Sequence, residues 1–259
     1  MKFKLVIICC VFDLIYFVES SKLSHVSHEY STFSKAVSNF ISHAYLNDTP
    51  TVNICASPMN DNQKLVMDEI INEIIMQSGE VFQIEQYSYL NASNQKRFHN
   101  VILISNYASF RQIYKCLLAE NFAYQGYFLF VMIEGFYNSK MPELKQIVAD
   151  LFDIFVVNVN ILIKMPSENE LVMLTYHPFH PLYCGEAYPL FINVFKDSEF
   201  LILGTFFVDL LKNMNQCPLR VATHNVPPFM MTHSLENNTS LYGSDASLLI
   251  GNYFKTFIF

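Results

Sequence analysis

Two apolar runs constrain this chain more than any other feature: Val101-Ile102-Leu103-Ile104 and Tyr127-Phe128-Leu129-Phe130-Val131-Met132-Ile133. Neither alternates apolar with polar, so each reads as a strand covered on both faces. Between them Ser109-Phe110-Arg111-Gln112 has a capping-box pattern, and Ile113, Leu117 and Leu118 share one side of the helix it opens. The same alternation runs through the first half of the chain. Residues 28–46 place Phe33, Val37, Phe40, Ile41 and Tyr45 on one helical face, and Val52 to Ala56 is a short strand. A helix capped by Asp61 runs through Gln77, with rows Val66, Ile70, Ile74 and Met67, Ile71, Ile75, and Gly79 suits its end. Val81 to Leu90 is a partly alternating strand. Pro142 suits a first helical turn, followed by an apolar face of Leu144, Ile147, Val148, Leu151, Phe152 and Phe155. Val156 to Ile163 and Leu171 to Thr175 are two further strands. Strands alternating with helices at this spacing predict an α/β fold, a mostly parallel sheet with helices on both faces.

Past Pro178 the periodicity fades, and residues 191–212 are an unresolved mixture of strand and helix. Cys217-Pro218 then introduces a strand over Leu219 to Thr223, Pro227-Pro228 makes a loop, and 246–259 reads as a helix.

Composition narrows the function classes. Lys and Arg number 16 against 23 Asp and Glu, a net charge of −7, and no basic cluster exists to neutralise phosphates, which argues against nucleic acid as a partner. There is no GxSxG, Walker A or GxGxxG pattern, and no nucleophile, base and orienting group that can be assembled into a site, so neither an enzyme nor a bound cofactor is expected. The carboxylate pairs Asp68-Glu69 and Asp150-Asp153 read as polar faces of helices, and Arg220 as a structural strand residue. His177-Pro178-Phe179-His180-Pro181 has a metal-like spacing, but its prolines make it an extended turn rather than a metal helix.

The N-terminus points to secretion. Lys2 and Lys4 precede an apolar stretch, Leu5 to Val18, and Val18-Glu19-Ser20 allows cleavage before Ser21, giving a leader over 1–20. The competing reading is a short membrane anchor, for which 14 apolar-region residues containing Asp13 fall short of the roughly 20 that span a bilayer. Asn47, Asn91, Asn237 and Asn238 all stand in N-x-[ST] glycosylation patterns. Removal of Cys9 and Cys10 with the leader leaves Cys55, Cys116, Cys184 and Cys217, which allow two disulfides in any of three pairings, or buried thiols.

Residues 215–259 resemble the start of the ligand-binding domain of ionotropic glutamate receptors, and more closely that of the divergent insect chemosensory ionotropic receptors. The residues that carry the resemblance are Cys217-Pro218-Leu219-Arg220-Val221, then Val226-Pro227-Pro228-Phe229, then Gly243-Ser244-Asp245-Ala246-Ser247-Leu248-Leu249. Upstream, Val157 to Leu162, Thr175-Tyr176-His177-Pro178-Phe179 and Cys184-Gly185 follow in the family's order. The resemblance implies a leader over 1–20, an amino-terminal α/β domain over 21–190, a connecting segment over 191–214, and over 215–259 an incomplete upper lobe of a periplasmic-binding-protein-like domain. It implies a ligand-cleft loop at Pro227, Pro228 and Phe229, a small-molecule ligand, and other receptor subunits as partners. It also implies a bond between Cys184 and Cys217, leaving Cys55 and Cys116 as the second pair. Such receptors are ligand-gated cation channels at the extracellular face of the plasma membrane, and the pore and second lobe they require are not in these residues. The alternative is a secreted α/β binding module with no channel role.

Overall fold

A computed structural model describes residues 27–45, 51–78, 81–86, 97–118, 122–166, 170–182, 184–202, 204, 206–207, 213–217, 231–235 and 238–242. Its order is α1 (Ser27–Ala44), β1 (Thr51–Ser57), α2 (Asp61–Ser78), β2 (Val81–Gln86), β3 (Arg97–Ile104), α3 (Tyr107–Leu118), β4 (Phe122–Phe136), α4 (Tyr137–Asp153), β5 (Val159–Lys164), β6 (Leu171–Tyr176), β7 (Pro189–Lys196), β8 (Glu199–Phe200), β9 (Met231–Leu235) and β10 (Asn238–Tyr242). The first eight strands form one sheet in the order β2-β1-β3-β4-β5-β6-β7-β8, and β9 and β10 pair separately as a hairpin. From β2 to β5 every neighbour is parallel, and β6, β7 and β8 extend the sheet antiparallel.

Each buried strand feeds two cores. Ile54, Val101, Leu103, Leu129 and Val131 point to one face, where Phe33, Val37 and Phe40 of α1 and Met67, Ile70 and Ile74 of α2 cover them. Cys55, Ile102, Ile104, Phe128, Phe130 and Met132 point to the other, under Phe110, Ile113 and Leu117 of α3 and Leu144, Ile147 and Leu151 of α4. The period of two along a strand, apolar on both phases, is what places a helix layer on each face. Because α2 and the pair α3 and α4 lie on opposite faces, the winding of the sheet reverses between β1 and β3.

Several local expectations shift. Ser109 is not the cap of α3. Asn106 is, its Oδ1 accepting the Ser109 N–H (3.0 Å) while Ser109 Oγ accepts the Asn106 N–H (3.1 Å). Likewise Asn60 rather than Asp61 caps α2, accepting the Gln63 N–H at 2.9 Å. In both cases the asparagine three residues before the bonded N–H has the reach. The second apolar run belongs to a strand that extends to Phe136, so Pro142 falls inside α4 instead of in its first turn. Phe155 leaves the apolar face: with φ of 58° it is the left-handed residue that ends α4, with Val156 N–H donating back to Leu151 O, and it is 73% exposed.

The sheet also runs past residue 190, because β7 spans that boundary and β8 follows it. A two-residue turn joins them, Asp197 and Ser198 having φ of 52° and 69°, the left-handed pair that a tight hairpin needs. Phe200 and Phe206 still belong to the core under α1, and Asn160 Nδ2 donates to Phe206 O at 2.9 Å. A domain ending at 190 would cut this core, so the α/β unit extends at least to Phe206.

Candidate functional site

In doubly wound sheets the strand ends splay apart where the winding reverses, which opens a crevice beyond their carboxyl ends. Here that point lies between Ser57, at the end of β1, and Ile104, at the end of β3, which are paired in register. Beside it β4 ends on Glu134, Gly135 and Phe136. Gly135 has φ of +80°, and a Cβ there would stand 2.6 Å from Lys140 Cε, so the turn from strand into α4 depends on glycine.

Three elements converge at this edge on Gln63, in the first turn of α2. Gln63 is only 8% exposed. Its Oε1 accepts the Met59 N–H at 2.7 Å and the Ser105 hydroxyl at 3.2 Å. A backbone N–H can only donate, so this contact fixes which end of the amide is oxygen. The amide nitrogen therefore faces Glu134 and donates to its Oε1 at 2.6 Å. Ser57 Oγ, buried, donates to Ser109 O (3.0 Å) and Gln112 Oε1 (3.1 Å), locking the end of β1 to α3. Gln112 Nε2 also meets Met59 Sδ at 3.2 Å.

Charges on α3 and α4 beside this edge stand in closed pairs. Lys140 Nζ bonds Glu143 Oε1 at 2.6 Å, and Glu143 Oε2 accepts the Tyr107 N–H at 2.8 Å, tying the start of α3 to α4. Burial pushes the Glu143 carboxyl up, but the Lys140 ammonium and the Tyr107 N–H outweigh it and hold the group below its ordinary value. Arg111 and Tyr107 both donate to Asp150 Oδ2, each at 2.9 Å. The edge thus carries a buried hydroxyl and amide network bonded within the protein, with the half-buried Glu134 carboxylate at its margin.

The residues singled out from sequence lie elsewhere. Pro227, Pro228, Phe229, Arg220, Gly79, Asn47, Asn91, Asn237, the leader and the helix expected over 246–259 are outside the described residues. Asn238 opens β10 opposite Leu235. Cys184 and Cys217 are joined, with Cα atoms 5.2 Å apart. Around that bond Asn215 Nδ2 donates to Phe179 O at 2.7 Å and Gly185 N–H to Pro178 O at 2.9 Å, so residues 213–217 are held against the loop between β6 and β7. The second pair is corrected: Cys55 and Cys116 are thiols and are not bonded to each other. Cys55 is buried among the apolar side chains between β3 and α3, where a thiol packs as a small hydrophobe, and Cys116 is a partly exposed residue in the last turn of α3. His177 and His180 form a turn, their Nδ1 atoms meeting the N–H groups of Phe179 (3.1 Å) and Leu182 (3.3 Å). No group of three or more His, Cys, Asp or Glu that could hold a metal occurs among the described residues.

Sequence reasoning missed Gln63, Ser105 and Glu134. A signal was present: each buried run ends on a polar residue, at Ser57, Ser105, Glu134 and Lys164.

Among the described residues no helix is long and apolar enough to cross a membrane. No curated protein and no solved structure matches the chain. A family model described as "Putative ionotropic receptor, ligand binding domain" matches residues 24–213, the stretch that builds the whole eight-stranded sheet. That family is one of receptor ligand-binding domains rather than of enzymes. With most of its length matched, and with the α/β architecture just described, this chain belongs to the ionotropic receptor ligand-binding domain family.

Proposed function

We propose that this chain is the extracellular portion of a chemosensory ionotropic receptor subunit, part of a ligand-gated cation channel when complete, and that its ligand is received at the carboxyl edge of the parallel strands. The observation that carries the site is the convergence of Ser105, Gln63 and Glu134 where the winding of the sheet reverses. The membership of residues 24–213 in a receptor ligand-binding family supports the receptor role. In this reading residues 1–20 direct the chain into the secretory pathway, the α/β unit follows, and 215–259 begin a further lobe whose cleft loop is Pro227, Pro228 and Phe229. Glycans on Asn47, Asn91 and one of Asn237 or Asn238 would mark its extracellular surface. Other subunits would complete the channel.

Chemical-shift mapping of the secreted chain against a library of small polar and volatile compounds tests the site. The expected shifts cluster at Ser57–Gln63, Ser105–Tyr107 and Glu134–Phe136. Shifts confined to the His177–Leu182 turn, or no shifts at all, would overturn it. A second reading, a secreted binding module with no channel, is favoured by both cores being filled by residues up to Phe206. Sequencing the native transcript across the codon for Phe259 separates the two: an open frame running into membrane spans supports the channel subunit, and a stop codon supports the module.

A further inference from the structure

His177-Pro178-Phe179 and His180-Pro181-Leu182 are two successive turns of one form. In each the histidine Nδ1 accepts the N–H of the residue two places on, from Phe179 at 3.1 Å and from Leu182 at 3.3 Å. Asparagine commonly fills this place in a turn, and its amide oxygen accepts at any ordinary pH. An imidazole does not: once protonated, both ring nitrogens donate and the turn loses its acceptor. The backbone between the two rings also holds the neighbouring segments. Pro178 O accepts the Gly185 N–H at 2.9 Å, and Phe179 O accepts Asn215 Nδ2 at 2.7 Å. We infer that this tandem turn is a pH-sensitive latch: closed near neutral pH, it holds residues 213–217 against the α/β unit, and protonation of His177 and His180 releases them onto the tether of the Cys184–Cys217 bond. The two rings stand edge-on with 6.3 Å between centroids, so a second positive charge meets the first. Burial, with His180 nearby, holds His177 below its ordinary value. The closed turn is therefore favoured above about pH 6.5 and loses that advantage as pH falls towards the lowered value. Among the described residues no other charge acts on His177. Tyr176 spends its hydroxyl on Val156 O, Glu186 is exposed, Lys145 lies over the Tyr188 ring, and residues 213–217 carry no charged side chain. Because β6 runs antiparallel to β5, the latch lies at the opposite end of the sheet from Gln63 and Glu134 and works whatever binds there.

The test is amide hydrogen exchange by NMR on the full chain with its disulfide intact, at about pH 7.5 and about pH 5, corrected for the intrinsic pH dependence of exchange. Protection of the Phe179, Leu182 and Gly185 N–H groups should fall by about tenfold or more at the lower pH. The Asn215 side-chain amide resonances should move to those of a free amide with the same midpoint. His177→Asn combined with His180→Asn keeps an acceptor at both places and should hold the protection constant across this range. His43→Asn, at the exposed end of α1, should leave the fall intact. No fall in the native chain, or a fall that persists in the double variant, would overturn the inference. So would an Asn215 amide that stays in place while the turn opens, because the turn would then titrate without releasing anything. Should the double variant fail to fold, the native chain still decides. The fall must share its midpoint with the titration of the His177 and His180 ring protons, and a midpoint near about pH 4, where carboxylates titrate, would overturn the assignment.

Discussion

The two ends of the same parallel strands are built from opposite materials. At the amino end the Tyr45 ring is tilted against His99 (4.6 Å between centroids), His99 stacks on Tyr127 (5.6 Å), and Phe207 lies against Tyr127 (4.7 Å). Phe40 meets Tyr45 and Phe206 edge-on at 5.1 and 5.0 Å. The Tyr45 hydroxyl donates to the backbone oxygens of Asn100 and Tyr127, and burial pushes its ionisation well above the ordinary range. That end is sealed by aromatic area, and the Tyr45 hydroxyl is consumed by backbone. At the carboxyl end the residues that follow the apolar runs are Ser57, Ser105 and Glu134; Gln63 links Ser105 to Glu134, while Ser57 is bonded to Ser109 and Gln112 of α3. One end is closed by aromatic packing, the other by a network of polar side chains.

That contrast can be broken by mutation. Phe40→Ala, in the sealed end, should cost about 3–5 kcal/mol in urea unfolding, from lost transfer energy and a cavity between α1 and the sheet. A loss below about 1 kcal/mol would show that the aromatic end is not what holds the sheet. Cys184→Ser should cost about 3–4 kcal/mol by releasing a closed loop of 33 residues. Because the bond lies on the loop between β6 and β7, ligand-induced shifts at Glu134 should persist in that variant, and their disappearance would couple the two regions. Gln63→Leu should cost about 1–3 kcal/mol, since the Met59 N–H and the Ser105 hydroxyl lose their acceptor. It should reduce ligand binding as well, whereas Phe40→Ala should lower stability without changing affinity in the folded fraction.

The smallest effect is a pH slope. Burial, with His180 nearby, holds His177 below the ordinary histidine value. The unfolded chain then takes up a proton before the folded one does. Stability should therefore fall as pH drops through about 6.5 towards the lower folded value, and level off below it. Melting temperatures recorded across this range should show the fall in the native chain and a shallower one in His177→Gln. An unchanged slope in the variant would assign the dependence to another group.

Much of the central sheet was readable because its signal is local. Val101 to Ile104 and Phe128 to Ile133 carry both phases of a buried strand in a single run, and Phe33, Val37, Phe40 and Ile41 carry a helical face in nine residues. The caps moved because Ser109 and Asp61 compete with Asn106 and Asn60, and only geometry decides which side chain reaches the third N–H. Residues 191–206 stayed opaque for another reason. β7 is buried mainly at Asn193 and Phe195, and its pairing with β6 and β8 is set by distant partners and a turn of Asp197 and Ser198 that has no glycine. The site was hidden by topology. Gln63, Ser105 and Glu134 span 71 residues of sequence, and they become neighbours only once β1 is known to lie beside β3 and β3 beside β4. The second cysteine pair failed on an assumption of full oxidation, where packing needed only a small apolar side chain at Cys55.

The clamp at Cys184–Cys217 has a mechanical meaning. A pull on the chain beyond residue 217 meets the disulfide and the Asn215–Phe179 bond first, and so enters the domain between β6 and β7. The short β8 edge, held to β7 by a two-residue hairpin, lies off that line of force and is spared from being peeled away strand by strand. Tension applied there reaches β6 and, through it, β5 of the parallel core, so the domain can bear a load as a block or pass one on.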